Sequence, residues 1–289
     1  MSVSQRADDA ECRAILRRSG SNFALPLQLL PAEKRRGSIA LYAYCRLADD
    51  LVDDATSTDQ ATRELDGFAD QLRRALAGQS VEQPVVRAVA AAAGRFAVSP
   101  EHLFAILDGV RSDLRPVRYQ TVEDLVGYCR QVASAVGLAA VPIWGVRPGV
   151  PPAEWMPAAD ACGLAFQWTN ILRDVVEDRD RGRVYLPMES FTKSGCTVEE
   201  LLSGQINANF AALAAQEAAR ADGWYVQAMA LDEMLSLDGR RVFRAMFGVY
   251  RELFRAVERA GPEIFLRRVR APQWRRLAAG LVALSGGPS

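Results

Sequence analysis

An apolar helical segment that begins at Pro31 ends in four carboxylates within six residues. In that run, Asp49 and Asp53 lie one helical turn apart on one face, and Asp50 and Asp54 repeat the spacing. Like charges at this spacing oppose helix formation, and the C-terminal end of a helix disfavours anions. The simplest interpretation is a solvated acidic helix end. Because the arrangement costs stability, we favour a site at which a bound cation neutralises the acids.

A second acidic segment repeats this pattern much later in the chain. One helix face carries two amides and two carboxylates near its expected C-terminal end: Gln167, Asn170, Asp174 and Asp178. A solvated helix face would more often place a cation four residues after each acid, and here only Glu177 has one, Arg181. The charged residues 179–187 follow at once and contain a glycine, so we expect a flap that closes over a site.

Helical periodicity dominates the rest of the chain, and strand patterns are scarce. Helix-start signatures occur at Ser99, Thr121 and Thr197. Stops rich in proline or glycine occur at Gly78, Pro116, 142–152 and 182–187. We expect about ten helices in a single all-α domain over residues 1–289, with residues 1–18 as a peripheral N-terminal segment. Residues 144–152 are the best candidate for a domain boundary, but a site that uses both acidic segments needs residues on both sides of them.

The composition excludes several classes of protein. Charges balance at 35 basic and 35 acidic residues, so we expect no nucleic-acid partner. The single histidine, His102, excludes histidine-rich zinc sites and the Glu-x-x-His pattern of di-iron bundles. Five cysteines without a C-x-x-C spacing are typical of a reduced cytoplasm. With acids near the N-terminus and no run of about 20 apolar residues, we expect a cytoplasmic protein, at most peripheral at the inner membrane.

Two further segments each leave two interpretations open. Small residues recur over 128–137, where Gly137 in a helix interior costs about 1 kcal/mol relative to alanine. They indicate either close helix packing or a helix whose small side chains leave room for a bulky apolar ligand beside it. A basic stretch near the C-terminus indicates either contact with anionic lipid or a solvated helix face. Its members are Arg267, Arg268, Arg270, Arg275 and Arg276.

Paired carboxylates without histidine suit a hard cation. Mg²⁺ binds through one or two carboxylates together with substrate phosphates, so two facing pairs would hold several ions around a diphosphate. Arg46, Arg173 or Arg183 would take up the remaining charge. A metal-bound diphosphate is a good leaving group. Its departure from an allylic carbon would leave a carbocation, which needs an apolar pocket and is stabilised by aromatic faces.

Taken in order, these motifs resemble the squalene/phytoene synthases, a family of head-to-head prenyl transferases. The aspartate motifs occupy residues 49–53 and 174–178, with Tyr-x-x-Cys-Arg before the first. Tyr128-Cys129 lies between them, and Tyr185-Leu186-Pro187 follows the second. The resemblance covers nearly the whole chain, residues 19–276. It implies an isoprenoid-synthase all-α fold, with one helical domain around a central cavity.

The resemblance also implies roles for individual residues. Catalysis is implied for Tyr128, as the proton-handling residue, together with the four motif aspartates. Metal binding is implied for Asp49, Asp53, Asn170, Asp174 and Asp178. Substrate contacts are implied for Ser21, Phe23, Tyr42, Arg46, Val132, Gly137, Gln167, Asn170, Arg173, Tyr250 and Arg268. The family's Ser-x-Ser-Phe motif is Gly-Ser-Asn-Phe here, over residues 20–23, a departure that bears on the chain length of the substrate.

The implied reaction joins two prenyl diphosphates through a cyclopropyl diphosphate. We expect farnesyl diphosphate as the substrate and presqualene diphosphate or a squalene-type C30 product, in carotenoid or hopanoid biosynthesis. The alternatives are phytoene synthesis from geranylgeranyl diphosphate and conversion of presqualene diphosphate to hydroxysqualene. Mg²⁺ is the implied cofactor, NADPH use stays open, and we expect a monomer or a homodimer.

Two other classes of function fit part of the pattern. A head-to-tail elongase or a terpene cyclase also uses aspartate-rich helices, but the motif block of residues 128–137 argues against it. A non-catalytic assembly factor of the same fold would not need intact acids at all four metal positions.

Overall fold

The computed structural model describes residues 3–21, 23–114 and 118–269 of the chain. Within these ranges all regular structure is helical, and the only extended pairing is an isolated bridge between Val146 and Leu235. The all-α prediction is therefore confirmed. The α-helices are α1 Val3–Arg18, α2 Ala32–Asp53, α3 Thr58–Leu76, α4 Pro84–Phe96, α5 Pro100–Ser112, α6 Val122–Cys129, α7 Ala135–Trp144, α8 Pro152–Asp180, α9 Met188–Ser194, α10 Val198–Leu202, α11 Asn209–Ala228, α12 Leu231–Met234 and α13 Leu237–Ala260.

Three other helical segments complete the described part of the chain. They are 3-10 helices at Pro26–Leu29 and Gly261–Phe265, and a π-helix at Arg130–Ser134. The described α-helices outnumber the expected ten because several, such as α10 and α12, are only one turn long.

Local sequence explains where the helices that carry the acids begin and end. α2 begins directly after Pro31, as predicted, and ends at Asp53. α8 ends at Asp180, so both acidic pairs lie at helix C-termini. Thr121 and Thr197 form the two predicted capping boxes, with Asp124 and Glu200. Ser99 precedes α5 without a side-chain cap, and the Pro116 stop lies outside the described residues.

The chain divides into two compact units, each built from separate stretches of sequence. Unit 1 contains the described residues of Met1–Leu114, Ala135–Pro152 and Asp232–Phe243. Unit 2 contains those of Arg115–Ser134, Ala153–Leu231 and Arg244–Ser289. The prediction of one domain around a central cavity stays a prediction.

α2 is the central helix of unit 1, where it contacts α1, α3, α4, α5 and α7. Its Gly37 lets the neighbouring helices approach closely, since an added Cβ would lie 2.9 Å from the Phe96 ring and 3.0 Å from Ile143. α1, which covers the described part of the segment expected to be peripheral, packs against α2 and α4. α1 buries Cys12 and pairs the buried Asp8 with Arg87 of α4 at 2.6 Å.

α8 is the long helix of unit 2, and its Trp168, Thr169 and Leu172 are fully buried. It approaches the π-helix so closely that an added Cβ at Gly163 would clash with the backbone of Ser134. Ser134 also donates a hydrogen bond to the carbonyl of Asp160, at 2.9 Å. Close helix packing therefore accounts for the small side chain of Ser134 in the 128–137 block.

The continuous helix over Val122–Trp144 is long and apolar enough to cross a membrane, judged by length and composition within the described residues. The sequence analysis expected no such stretch. Core helices pass the same test, and 44% of the apolar 18-residue window in this helix is buried inside the protein. The helix is therefore weak evidence for a membrane span.

Gly163→Ala is expected to destabilise the protein by about 1–3 kcal/mol, because the new methyl group meets backbone that cannot move aside. Gly127→Ala is the matched control, since it lies in α6 of the same unit and its added Cβ meets nothing within 4 Å. The control should leave the free energy of unfolding unchanged or raise it by up to about 1 kcal/mol. Urea unfolding of both variants tests this, and equal stabilities would contradict the close approach.

Candidate functional site

The first acidic pair lies on the last turns of α2 in unit 1. Tyr44 and Ala48 are fully buried on one face of the helix, and Asp49 and Asp53 lie exposed on the other. Arg46 pairs with Asp50 at 2.5 Å rather than with the face of Asp49. Arg46, which is expected to take up remaining charge and to contact substrate, thus pairs with the acid next to Asp49.

The carboxyl group of Asp49 carries a raised pKa of about 7. Desolvation is the main cause, and the carboxylates of Asp53, Asp113 and Asp50 add to it, while Arg46 acts in the opposite direction. The residue keeps contact with solvent despite the protein atoms around it. A cation at this position would stabilise the desolvated carboxylate and relieve its repulsion with the neighbouring acids.

Polar and aromatic residues meet near the start of unit 1. The Tyr42 hydroxyl donates a hydrogen bond to Ser19 Oγ at 2.7 Å, and the Phe23 ring lies edge-on to Tyr42 with centroids 6.3 Å apart. Ser21 Oγ accepts a hydrogen bond from the Phe23 backbone at 3.1 Å. Three predicted substrate contacts thus lie together, and Ser19, which orients Tyr42, was missed. The only sequence signal for it is the polar Ser-Gly-Ser run of residues 19–21.

The second acidic pair lies at the end of α8 in unit 2, and its first member is held by two arginines. Arg173 Nε donates to Asp174 Oδ1 at 2.8 Å, and the same guanidinium also contacts Oδ2. Arg268 Nε lies 2.9 Å from Asp174 Oδ1, and its Nη1 lies 2.8 Å from Glu177. Without metal, Arg173 and Arg268, both predicted substrate contacts, therefore neutralise a predicted metal ligand.

Asp178, the second member, has a pKa raised to about 6. Desolvation is the largest cause and Asp174 adds to it, while Arg183 and Arg181 oppose it. Both arginines belong to the predicted flap, which turns at Gly182 with a φ of +73°. The charges of these two flap arginines therefore lower the pKa of Asp178.

Asn170 and Gln167 lie one turn before the second pair on the same helix. The Asn170 amide donates to Gln167 Oε1 at 3.4 Å, but its own Oδ1 is buried without a hydrogen-bond partner among the described residues. Tyr250 stacks on Phe166 with centroids 4.0 Å apart. Burial raises the pKa of Tyr250, and Asn170 and Arg173 oppose that shift. An orphaned buried acceptor is costly, so Asn170 Oδ1 is suited to a cation.

These donors fit magnesium that arrives with phosphate oxygens. In the described part of the chain, no group of three or more His, Cys, Asp or Glu side chains converges on one point. Each acidic pair instead supplies one or two carboxylates, which is the share that protein usually contributes to a Mg²⁺-phosphate site. The residues thus fit the ion predicted from the sequence.

Tyr128 belongs to a cluster of three tyrosines in unit 2. Its ring centroid lies 5.6 Å from Tyr119 and 5.6 Å from Tyr185, which are themselves 6.4 Å apart. Tyr185 lies in the flap, whose end is fixed because the Met188 backbone donates to the carbonyl of Tyr119 at 2.9 Å. The sequence analysis quoted Tyr185 only as a motif and missed Tyr119, since their contact joins segments far apart in the chain.

The structure distributes the predicted residues over both units. Unit 1 holds Ser21, Phe23, Tyr42, Arg46, Asp49, Asp53 and Gly137. Unit 2 holds Tyr128, Val132, Gln167, Asn170, Arg173, Asp174, Asp178, Tyr250 and Arg268. Val132 lies in the π-helix and Gly137 in α7, so these two predicted hydrocarbon contacts belong to different units. In the C-terminal basic stretch, Arg267 pairs with Glu263, and Arg270, Arg275 and Arg276 lie outside the described residues.

Comparison with known proteins defines the class and then the family. A dehydrosqualene synthase crystal structure in complex with ligand superposes with a TM-score of 0.86 at 30% identity, covering 97% of this chain and 96% of that one. The fold is therefore that of the isoprenoid synthases. The family profile described as squalene/phytoene synthase matches residues 16–276.

Curated relatives agree with the profile. The 15-cis-phytoene synthase of Synechococcus elongatus is 34% identical over 95% of this chain and 91% of its own length. The phytoene synthase of Arthrospira platensis is 32% identical over 94% of this chain and 91% of its own length. The chain belongs to the squalene/phytoene synthase family, whose reaction is the head-to-head condensation of prenyl diphosphates, and it is a prenyltransferase.

Asp49→Asn is expected to stabilise the metal-free protein at pH 8. The folded pKa of about 7 lies above the ordinary value of 3.8, so stability falls as the pH rises from 3.8 to 7. The gain in stability of Asp49→Asn over the wild type should therefore shrink as the pH falls toward 4. Melting temperatures with EDTA at pH 5 and pH 8 measure it, with Asp70→Asn, an exposed acid of α3, as the control. A variant no more stable than wild type at pH 8 would contradict the assigned shift.

Arg268→Gln is expected to strengthen metal binding in the absence of diphosphate by about three- to tenfold, because it removes one of the two arginines that bind Asp174 and with it a positive charge. Isothermal titration with Mn²⁺ measures the affinity. The matched control is Arg267→Gln, which removes the adjacent arginine and its exposed ion pair with Glu263. Unchanged or weaker Mn²⁺ binding in the Arg268 variant would show that the arginine does not compete with metal.

Proposed function

We propose that the protein condenses two molecules of geranylgeranyl diphosphate head to head and converts the product to phytoene. The observation that carries the chemistry is the pair of acidic helix ends, supported by the buried Oδ1 of Asn170, which has no hydrogen-bond partner within residues 3–21, 23–114 and 118–269. The choice of substrate is supported by the two phytoene synthases that match most of this chain. This reverses the preference of the sequence analysis, which put farnesyl diphosphate first.

The two steps of the proposed reaction balance without a reductant. In the first step the allylic C–O bond of one substrate breaks, and diphosphate leaves with the bonding electrons. The double bond of the second substrate attacks the resulting cation, and loss of a proton closes a cyclopropane ring. In the second step the cyclopropyl diphosphate ionises, rearranges and loses another proton, which leaves a central double bond.

The acidic residues and the arginines would bind the diphosphate leaving groups, the acids through magnesium and the arginines directly. Asp49 and Asp53 in unit 1, and Asp174, Asp178 and Asn170 in unit 2, would hold magnesium. Bound magnesium would neutralise the diphosphate and so make it a better leaving group. The magnesium ion would neutralise Asp174 in place of Arg268. Arg268 would then be free to bind the diphosphate.

The tyrosine cluster is suited to handle the proton that is lost and to stabilise the carbocation. Tyr128 is the candidate proton-handling residue, and the rings of Tyr119 and Tyr185, which both pack against it, fix its orientation. Aromatic faces stabilise a nearby cation by their electron density. Burial of Tyr128 would also keep water from the cation.

The second candidate is a C30 synthase that uses farnesyl diphosphate. It is favoured by the likeness to the dehydrosqualene synthase at 30% identity. We place either reaction in the cytoplasm with contact at the inner membrane, because substrate and product are lipidic.

Incubation with farnesyl or geranylgeranyl diphosphate, with and without NADPH, separates the candidates. With Mg²⁺ we expect phytoene from geranylgeranyl diphosphate and no effect of NADPH, measured by chromatography and mass spectrometry of the hydrocarbons. A C30 hydrocarbon as the preferred product would contradict the choice of substrate. No release of diphosphate from either substrate would contradict the reaction class.

Asp174→Asn is expected to lower turnover at least about a hundredfold while the protein stays folded, because one carboxylate charge is lost where the leaving group binds. Diphosphate release measures turnover, and circular dichroism checks the fold. Glu154→Gln, in the exposed first turn of the same helix, is the matched control and should keep wild-type turnover. Wild-type rates in the Asp174 variant would exclude it as a metal ligand.

A further inference from the structure

The buried face of α8 is fastened to α11 at two consecutive residues. The Trp168 indole N–H donates to Glu217 Oε2 at 3.1 Å, and both side chains are fully buried. The next residue, Thr169, places its hydroxyl 3.0 Å from that of Tyr225. These are polar contacts in an apolar core, where geometry is held more strictly than at a surface.

Tyr225 extends this contact to a third helix. Its hydroxyl donates to the backbone carbonyl of Tyr250 in α13 at 3.1 Å. Thr169 Oγ1 donates to the carbonyl of Ala165 in its own helix at 2.7 Å, so the single phenol proton of Tyr225 is shared between Thr169 Oγ1 and the Tyr250 carbonyl. A chain of polar contacts therefore runs from Thr169 through the Tyr225 hydroxyl to the main chain of Tyr250.

The two ends of this chain adjoin residues of the candidate site. Thr169 directly precedes Asn170, whose buried Oδ1 has no partner among the described residues. The main chain that accepts from Tyr225 carries the Tyr250 ring, which stacks on Phe166 at 4.0 Å. A shift of α8 against α13 would therefore change the separation of Asn170 and Tyr250.

We propose that Tyr225 is a positioning residue, which holds Asn170 and Tyr250 at the separation needed to bind magnesium diphosphate. The inference rests on the proposed function, because it assigns that ligand to those two residues. Tyr225 itself does not touch the ligand in this account. It acts through the backbone of Tyr250 and through the helical turn that Thr169 shares with Asn170.

The surroundings of Tyr225 allow its hydroxyl to be removed alone. Its ring packs against Phe247 at 5.5 Å and Phe254 at 4.9 Å between centroids, and the Arg251 guanidinium lies over it at 4.9 Å. A phenylalanine keeps these contacts. The neighbouring bond from Trp168 to Glu217 continues to fasten α8, so we expect Tyr225→Phe to fold.

The test measures binding of inorganic pyrophosphate with Mg²⁺ by isothermal titration, so it does not depend on turnover. Tyr225→Phe and Thr169→Val should each weaken binding by about five- to twentyfold, and the double variant should bind no more weakly than the weaker single variant. Additive losses in the double variant would overturn the hydrogen-bonded chain as the cause.

Tyr44→Phe is the control for the loss of a buried hydroxyl. Tyr44 lies in unit 1, is fully buried and donates to the carbonyl of Leu103 at 2.9 Å. It should lower the melting temperature about as much as Tyr225→Phe but leave pyrophosphate affinity unchanged. If Tyr225→Phe also keeps wild-type affinity, its role is structural only and the inference fails. If wild type itself binds no pyrophosphate with Mg²⁺, the proposed function fails first and the inference falls with it.

Discussion

The cost of keeping carboxylates desolvated and close together at the ends of two helices is the constraint on which the rest of the structure depends. Asp49 and Asp178 both have raised pKa values, and desolvation is the larger cause in each case. Such groups lower the stability of the metal-free protein, and a bound cation would restore it. The two ends differ in how they are neutralised. Arg46 pairs beside the first acidic pair, with Asp50, whereas Arg173 and Arg268 bind directly to Asp174 in the second.

The rest of unit 2 holds the second acidic end in place. The buried face of α8 is fixed by Trp168 and Thr169, which leaves the opposite face to carry Gln167, Asn170 and Asp174. Polar bonds in the core set this rotation more narrowly than apolar contact alone would. The stacked tyrosines then place Tyr128 within the same unit as these polar residues. In the proposed reaction, the second acidic pair and the proton-handling tyrosine would therefore rely on the same helices of unit 2.

The sequence was sufficient where the relevant interactions are local. Helical spacing located the acidic pairs, and the Thr121 and Thr197 caps followed from residues three positions away. The bond of Arg46 to Asp50 was also local and could have been read from their spacing. Long-range contacts could not be read in this way. Arg268 meets Asp174, and Tyr119 meets Tyr185, only because the chain folds back on itself, and no periodicity encodes those pairings.

Anomalous diffraction from crystals grown with Mn²⁺ and pyrophosphate tests the central claim most directly. Mn²⁺ replaces Mg²⁺ at oxygen ligands and can be located by its scattering. The account predicts manganese bound to a carboxylate of each acidic pair, with pyrophosphate oxygens completing its coordination. Manganese at other residues, or pyrophosphate bound without metal at either pair, would contradict it.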